Sequence, residues 1–160
     1  KTFVPNYYVA IDPSVVRGDF IRDVSRLPST KFIGDNQYKK EKLYKLIPGA
    51  IRLPTTVEKG FLEDGKFWEG WTVTYVCLQL AYWMGFTRVL LVGVDHRYTH
   101  NEVNHFCKEY EKDYTWIKHD MTKAIPAYEM ARDAYEADGR EIINMTPDSD
   151  LKVFPIQDWI

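Results

Sequence analysis

The stretch Trp71-Thr72-Val73-Thr74-Tyr75-Val76-Cys77-Leu78-Gln79-Leu80-Ala81-Tyr82-Trp83-Met84-Gly85, followed closely by Val89-Leu90-Leu91-Val92-Gly93-Val94-Asp95-His96, decides the fold class. In the first part Thr74, Cys77, Leu78, Ala81 and Gly85 recur at spacings of three and four, and Trp71, Tyr75, Leu78 and Tyr82 add an adjacent stripe. That pattern predicts a mostly buried helix, with Gly85 as its stop signal. Residues 89–94 form a continuous apolar, β-branched run, as expected of a strand covered on both faces in a parallel sheet. Helix, tight turn and buried strand make half of a βαβ unit.

The same alternation continues outward. Ala124, Tyr128, Ala131, Ala134 and Tyr135 predict a helix over 122–138, stopped by Gly139 before a strand at Glu141-Ile142-Ile143-Asn144-Met145. Upstream, Tyr7-Tyr8-Val9-Ala10-Ile11 reads as a strand. Asp12-Pro13 then opens a helix through Val15, Val16, Phe20, Ile21 and Val24. Lys31-Phe32-Ile33-Gly34 and Ile51-Arg52-Leu53 are short strand candidates, and residues 38–47 form an amphipathic helix or a charged loop. Leu151-Lys152-Val153-Phe154-Pro155 is a last edge strand or an ordered strap, and Asp95 to Asp120 reads as a long polar loop. Strands alternating with helices mark an α/β architecture, and no repeat or linker divides the chain.

Composition narrows the partners. A chain of 160 residues suits one domain at roughly 100 to 200 residues each. The 21 basic against 23 acidic residues leave no surplus to neutralise a phosphate backbone, so nucleic acid is not an expected partner. Aromatics reach 15%, which suits a pocket or an interface without choosing between them. No apolar run approaches the roughly 20 residues of a membrane span, and the first residues lack the pattern of a signal peptide, so a cytoplasmic protein is expected. Cys77 and Cys107 make neither a disulfide framework nor a zinc pair.

Ligands of open α/β sheets sit beyond the carboxyl ends of the strands. The residues there are Asp12, then Asp95, His96, Arg97 and Tyr98, then Asn144, Thr146, Pro147, Asp148 and Ser149. Two readings stay open: a pocket rim that holds a polar ligand, or caps for helices and turns. Asp95 heads no obvious helix, which favours a functional role. His96, His100 and His105 have no metal-ligand spacing and no HExxH motif, so no metal site is expected. His119, just before a helix start, either acts as a neutral general base there or has a structural role. The aromatics around Trp68 and Trp71 either stack a base or sugar, or staple the helix start. GxGxxG, GxxxxGK[ST] and GxSxG motifs are absent from the sequence.

The strings Gly70-Trp71-Thr72-Val73-Thr74, Leu78 to Phe86 and Val89 to His96 together resemble the MptE-like domain of unknown function. That family is associated with 6-hydroxymethylpterin diphosphokinases, flagellin-modification proteins and surface-polysaccharide proteins. The chain is also similar to the related bacterial sialyltransferases that use CMP-sialic acid. Pro5 to Asp12, Ile117-Lys118-His119-Asp120, Gly139 to Pro147 and Leu151 to Pro155 extend the likeness.

The resemblance implies a three-layer, Rossmann-like domain over 1–160 with a mainly parallel sheet. It also implies an initial strand ending in a Gly-Pro-Ser turn. No such turn occurs ahead of Tyr7, so the chain is expected to lack that strand as a piece of a longer protein, or to carry an altered nucleotide site. By the same resemblance His119 deprotonates an acceptor hydroxyl, Tyr98 assists a departing phosphate, and Asn144 to Ser149 contact a nucleotide. Such transferases need no metal for the chemistry.

The leading expectation is a nucleotide-sugar-dependent glycosyltransferase of surface-glycan assembly, with a nucleotide-sugar donor and a glycan acceptor as partners. The alternatives are a pterin diphosphokinase using Mg²⁺ on Asp12 and Asp95, and a non-catalytic binding module. An oligomer stays open.

Overall fold

A computed structural model describes residues 3–13, 19–35, 42–97 and 120–158. It contains strands β1 (Tyr7–Ala10), β2 (Thr30–Gly34), β3 (Ile51–Leu53), β4 (Thr55–Thr56), β5 (Phe67–Trp68), β6 (Arg88–Leu91) and β7 (Glu141–Asn144). The α-helices are α1 (Asp19–Arg26), α2 (Val73–Trp83) and α3 (Ile125–Ala137). The pairs β1–β2, β2–β3, β4–β5 and β6–β7 are all parallel. The α/β class and the parallel pairing are as the sequence predicts. The described strands pair within three separate sheets, β1-β2-β3, β4-β5 and β6-β7, so one continuous Rossmann-like sheet is not what they form.

Helix α2 is the hinge of the packing. Its Val76 and Leu80 join Phe32, Leu53 and Phe67 against the first sheet, while Tyr75 and Leu78 join Leu91, Tyr128, Tyr135 and Ile142 on the other side. Two opposed apolar stripes explain why its sequence is hydrophobic almost all round. The opposite face of β1-β2 is covered by Val24 of α1 together with Leu43 and Ile47 around a 3-10 turn. The first sheet therefore lies between helical layers on both faces.

The second large sheet does not. Helices α2 and α3 cover the same face of β6-β7, where Leu91 and Ile142 are buried. On the other face Ile143 of β7 is buried, but Leu90 and Val92 of the apolar run are 50% and 60% exposed. The expectation of a strand covered on both faces is thus corrected: an apolar run of this length carries no alternation to mark an open side.

Both predicted glycine stops are observed. At the end of α2, Phe86 N donates to Ala81 O and Gly85 N to Tyr82 O, with Gly85 at φ 85°. At the end of α3, Arg140 N and Gly139 N donate to Tyr135 O and Glu136 O in the same way. This double closure satisfies the last helical carbonyls and favours a residue without a Cβ. Tyr135 also donates its hydroxyl to Leu78 O at 2.8 Å and so ties α3 to α2. The tail is a strap: Leu151 and Phe154 are buried in the α2–α3 core, and Ile156 makes only an isolated bridge to Asn144.

Candidate functional site

The carboxyl ends of the strands form two rims, and residues 69–74 at the start of α2 touch both. On the first rim, Asp12 follows β1, Asp35 follows β2 and Thr55 begins β4. Gly34 makes this approach possible, because a Cβ there would stand 3.0 Å from Ile11 Cγ2 and 3.1 Å from Thr55 Cγ2. Asp35 is only 7% exposed, and its Oδ2 accepts from both Nε and Nη2 of Arg52 at 2.9 Å. Its Oδ1 is buried with no hydrogen-bond partner among the described residues. The Thr55 hydroxyl donates to Asp35 O at 3.1 Å. Glu69 faces this rim; burial pushes its carboxyl up from 4.5, the Thr55 hydroxyl pulls it back, and the Asp12 charge adds a further upward push.

The second rim is built around β6 and β7. Val94 N donates to Thr146 Oγ1 at 2.9 Å, and Ser149 Oγ donates to Val94 O at 2.6 Å. Asn144 Oδ1 accepts from Thr146 N at 3.0 Å, and Leu151 N donates to Ser149 Oγ at 3.1 Å. Asn144, Thr146 and Ser149 are buried, and these bonds spend their polar atoms on the main chain. They tie the end of β6 to the end of β7, as turn-forming residues do. Asp95 and Pro147 are exposed, and Asp95 O accepts from Asp150 N at 2.9 Å.

His96 is different. It sits at φ 56°, a left-handed conformation costing a non-glycine residue about 1–2 kcal/mol, and its Nε2 is buried without a hydrogen-bond partner among the described residues. Burial lowers its pKa from 6.5, against an upward pull from Asp150 and the Met121 backbone, so the ring is neutral near pH 7. It meets the Tyr128 ring edge-on at 5.6 Å.

The start of α2 closes the gap between the rims. Tyr128 faces the hydroxyls of Thr72 and Thr74, and Thr72 Oγ1 caps the helix by accepting from Thr74 N at 3.2 Å. Trp71 is 63% exposed at φ 67°, with Lys123 Nζ 4.9 Å from its ring centre. Of the two aromatics expected to staple the helix or stack a ligand, Trp68 packs edge-on against Tyr75 at 5.5 Å, whereas Trp71 stands out at the rim. A helix N-terminus, a lysine and an exposed indole together suit an anionic group joined to a flat ring.

The proposed base His119 and the phosphate-assisting Tyr98 lie outside the described residues, as do His100, His105 and Cys107. Among the described residues no three His, Cys, Asp or Glu side chains are grouped to hold a metal ion.

The family model described as 6-hydroxymethylpterin diphosphokinase MptE-like matches residues 1–101 of this 160-residue chain. The chain belongs to the MptE-like family. No curated protein and no solved structure matches it. The MptE-like match takes in Asp12, Asp35, Arg52, Glu69, Trp71, Asp95 and His96, and it ends before His119 and the Asn144 to Ser149 turn. No helix among the described residues is long and apolar enough to cross a membrane.

Sequence reading passed over Asp35, Arg52, Glu69 and Lys123. Asp35 carries the signal already used for Asp95, a carboxylate directly after an apolar strand. Its strand is so short that Phe32-Ile33-Gly34-Asp35 draws no attention.

The raised Glu69 carboxyl has a pH consequence. The folded state holds the proton more tightly than the unfolded chain, so its contribution to stability falls as pH rises above 4.5. Glu69→Gln is expected to melt close to the native chain at pH 4 and progressively above it toward pH 7. Equal spacing of the melting curves at both pH values would show that Glu69 is not buried against Asp12.

Proposed function

We propose that this MptE-like chain binds nucleoside triphosphate across the two rims and transfers a diphosphoryl group to the hydroxymethyl group of a pterin-like heterocycle. One observation carries the reading: residues 69–74 place Glu69 beside Asp12 and Thr55 while Thr72 and Thr74 face Tyr128, itself in contact with His96. The start of α2 thus meets both rims at the carboxyl ends of parallel strands, where ligands of α/β proteins bind. The family description names this chemistry.

In the transfer the hydroxymethyl oxygen attacks the β-phosphorus, the bond from that phosphorus to the bridging oxygen of the nucleoside monophosphate breaks, and the hydroxyl proton passes to a base. His119 is the candidate base. Lys123 and the N-terminal amides of α2 face the phosphates, and Trp71 stacks on a flat ring. Mg²⁺ fits the first rim, because a hard cation of this kind needs only one or two carboxylates beside phosphate oxygens, and Asp12 and Glu69 lie close enough for their charges to interact. When bound it would neutralise phosphate charge.

A second reading, transfer of a sugar from a nucleotide-sugar donor to a surface glycan, is favoured by the exposed Trp71 beside Lys123, an aromatic platform that suits sugars as well as bases. Asn144, Thr146, Pro147 and Ser149 would then border the nucleotide, and no metal would be needed. Either reaction would run in the cytoplasm.

Melting-temperature shifts separate the two readings. ATP with Mg²⁺ is expected to stabilise the chain by about 2.7 kcal/mol at a hundredfold excess over Kd, and ATP alone by much less. A shift with CMP that ignores Mg²⁺, and none with ATP, would replace the diphosphokinase reading by the glycosyl transfer.

A further inference from the structure

Two buried side-chain atoms find no hydrogen-bond partner among the described residues, His96 Nε2 and Asp35 Oδ1, the latter at the carboxyl end of β2. A carboxylate oxygen in that state is costly, and a native structure keeps one where something else completes it. Its other oxygen is fully used by Arg52. The Arg52 side chain is 55% exposed against 11% for that of Asp35, and a guanidinium carries more N–H donors than the two committed to Oδ2. The pair therefore holds an unused acceptor on Asp35 next to unused donors on Arg52. Arg52 is the more exposed member, so a ligand edge would reach Oδ1 by displacing its outer part.

We propose that Asp35 and Arg52 form the anchoring site for the heterocycle, reading the lactam edge of an oxo-pteridine: Oδ1 accepts the ring N–H and Arg52 donates to the adjacent carbonyl oxygen. The pairing of one acceptor with one donor selects this edge and rejects rings that present two donors or two acceptors. The inference rests on the diphosphokinase reading for its choice of ring, while its geometry does not depend on the phosphate site.

The test is calorimetric binding of pterin and of 3-methylpterin, whose edge has no N–H, to the native chain and to Asp35→Asn, with ATP and Mg²⁺ titrated in parallel. The native chain is expected to bind pterin about tenfold or more tightly than 3-methylpterin. Asp35→Asn, which can place a donor where the acceptor stood, is expected to lose pterin affinity by a similar factor while keeping its ATP affinity. Equal binding of the two pterins by the native chain overturns the proposal, whether or not the variant folds. So does unchanged pterin affinity in a folded Asp35→Asn, or the absence of any pterin binding. Failure of ATP to bind a chain that discriminates between the pterins would instead sink the diphosphokinase reading and leave the anchoring site standing.

Discussion

Gln79→Leu is expected to lower stability by about 3–5 kcal/mol, a large share of the roughly 5–15 kcal/mol that holds a domain together. Gln79 is wholly buried in the middle of α2, a position where the periodicity alone would put a leucine. Its Oε1 accepts from Leu62 N at 3.3 Å and Trp68 N at 3.2 Å, and its Nε2 donates to Trp68 O at 2.8 Å. One amide thus satisfies the main chain of β5 and of the irregular turn ahead of it, where Leu62 and Asp64 both adopt left-handed conformations. Leucine fills the volume but leaves two buried N–H groups and a carbonyl without partners, each costing about 1–3 kcal/mol. At about 2–4 °C per kcal/mol the melting temperature should fall by about 6–20 °C. A fall of only a degree or two would show that water reaches these groups and that the amide is not the clamp. Gln79→Glu keeps the acceptor for both N–H groups but sets a second oxygen against Trp68 O, so it is expected to lose less than the leucine variant only at acid pH, where its carboxyl holds a proton to donate.

The second large effect is at Gly70. Its φ is 54°, and a Cβ there would lie 2.4 Å from Tyr75 Cδ1 and 2.8 Å from Ala127 Cβ. Gly70→Ala therefore combines left-handed strain of about 1–2 kcal/mol with overpacking of about 1–3 kcal/mol. Gly85 is the natural control. It too has positive φ, at 85°, but a Cβ there meets nothing within 4 Å, so Gly85→Ala should show the backbone cost alone. Denaturant unfolding of the two variants checks the difference, and equal losses would refute the steric argument. Because Gly70 sets the path of Trp71 and Thr72, Gly70→Ala should also weaken ATP binding, whereas Gly85→Ala should leave it unchanged.

Much of the fold was legible along the chain. Helix α2, strand β6, helix α3 and strand β7 all lie where spacing and apolar runs predict them, because each is specified by neighbours within a few turns. Asn144, Thr146 and Ser149 were equally visible as polar residues after a strand. Which use their side chains would find was not visible, since Val94 reaches Thr146 and Ser149 only through the parallel pairing of β6 with β7. Trp68 and Trp71 read alike in sequence and separate in space, one packed on Tyr75 and the other exposed beside Lys123.

The amino-acid sequence by itself determined the α/β class, the succession of α2, β6, α3 and β7, the glycine stops and the membership of the MptE-like family. These are local signals, carried by periodicity, turn chemistry and short motifs that need no partner to be read. Only the tertiary structure decided that one face of β6 stays open, that Gln79 clamps the turn before β5, and that Asp35, Arg52, Glu69 and Asp12 gather on one rim. Those depend on contacts between residues far apart in the chain, where burial and an unpaired oxygen, rather than spacing, mark what a residue is for.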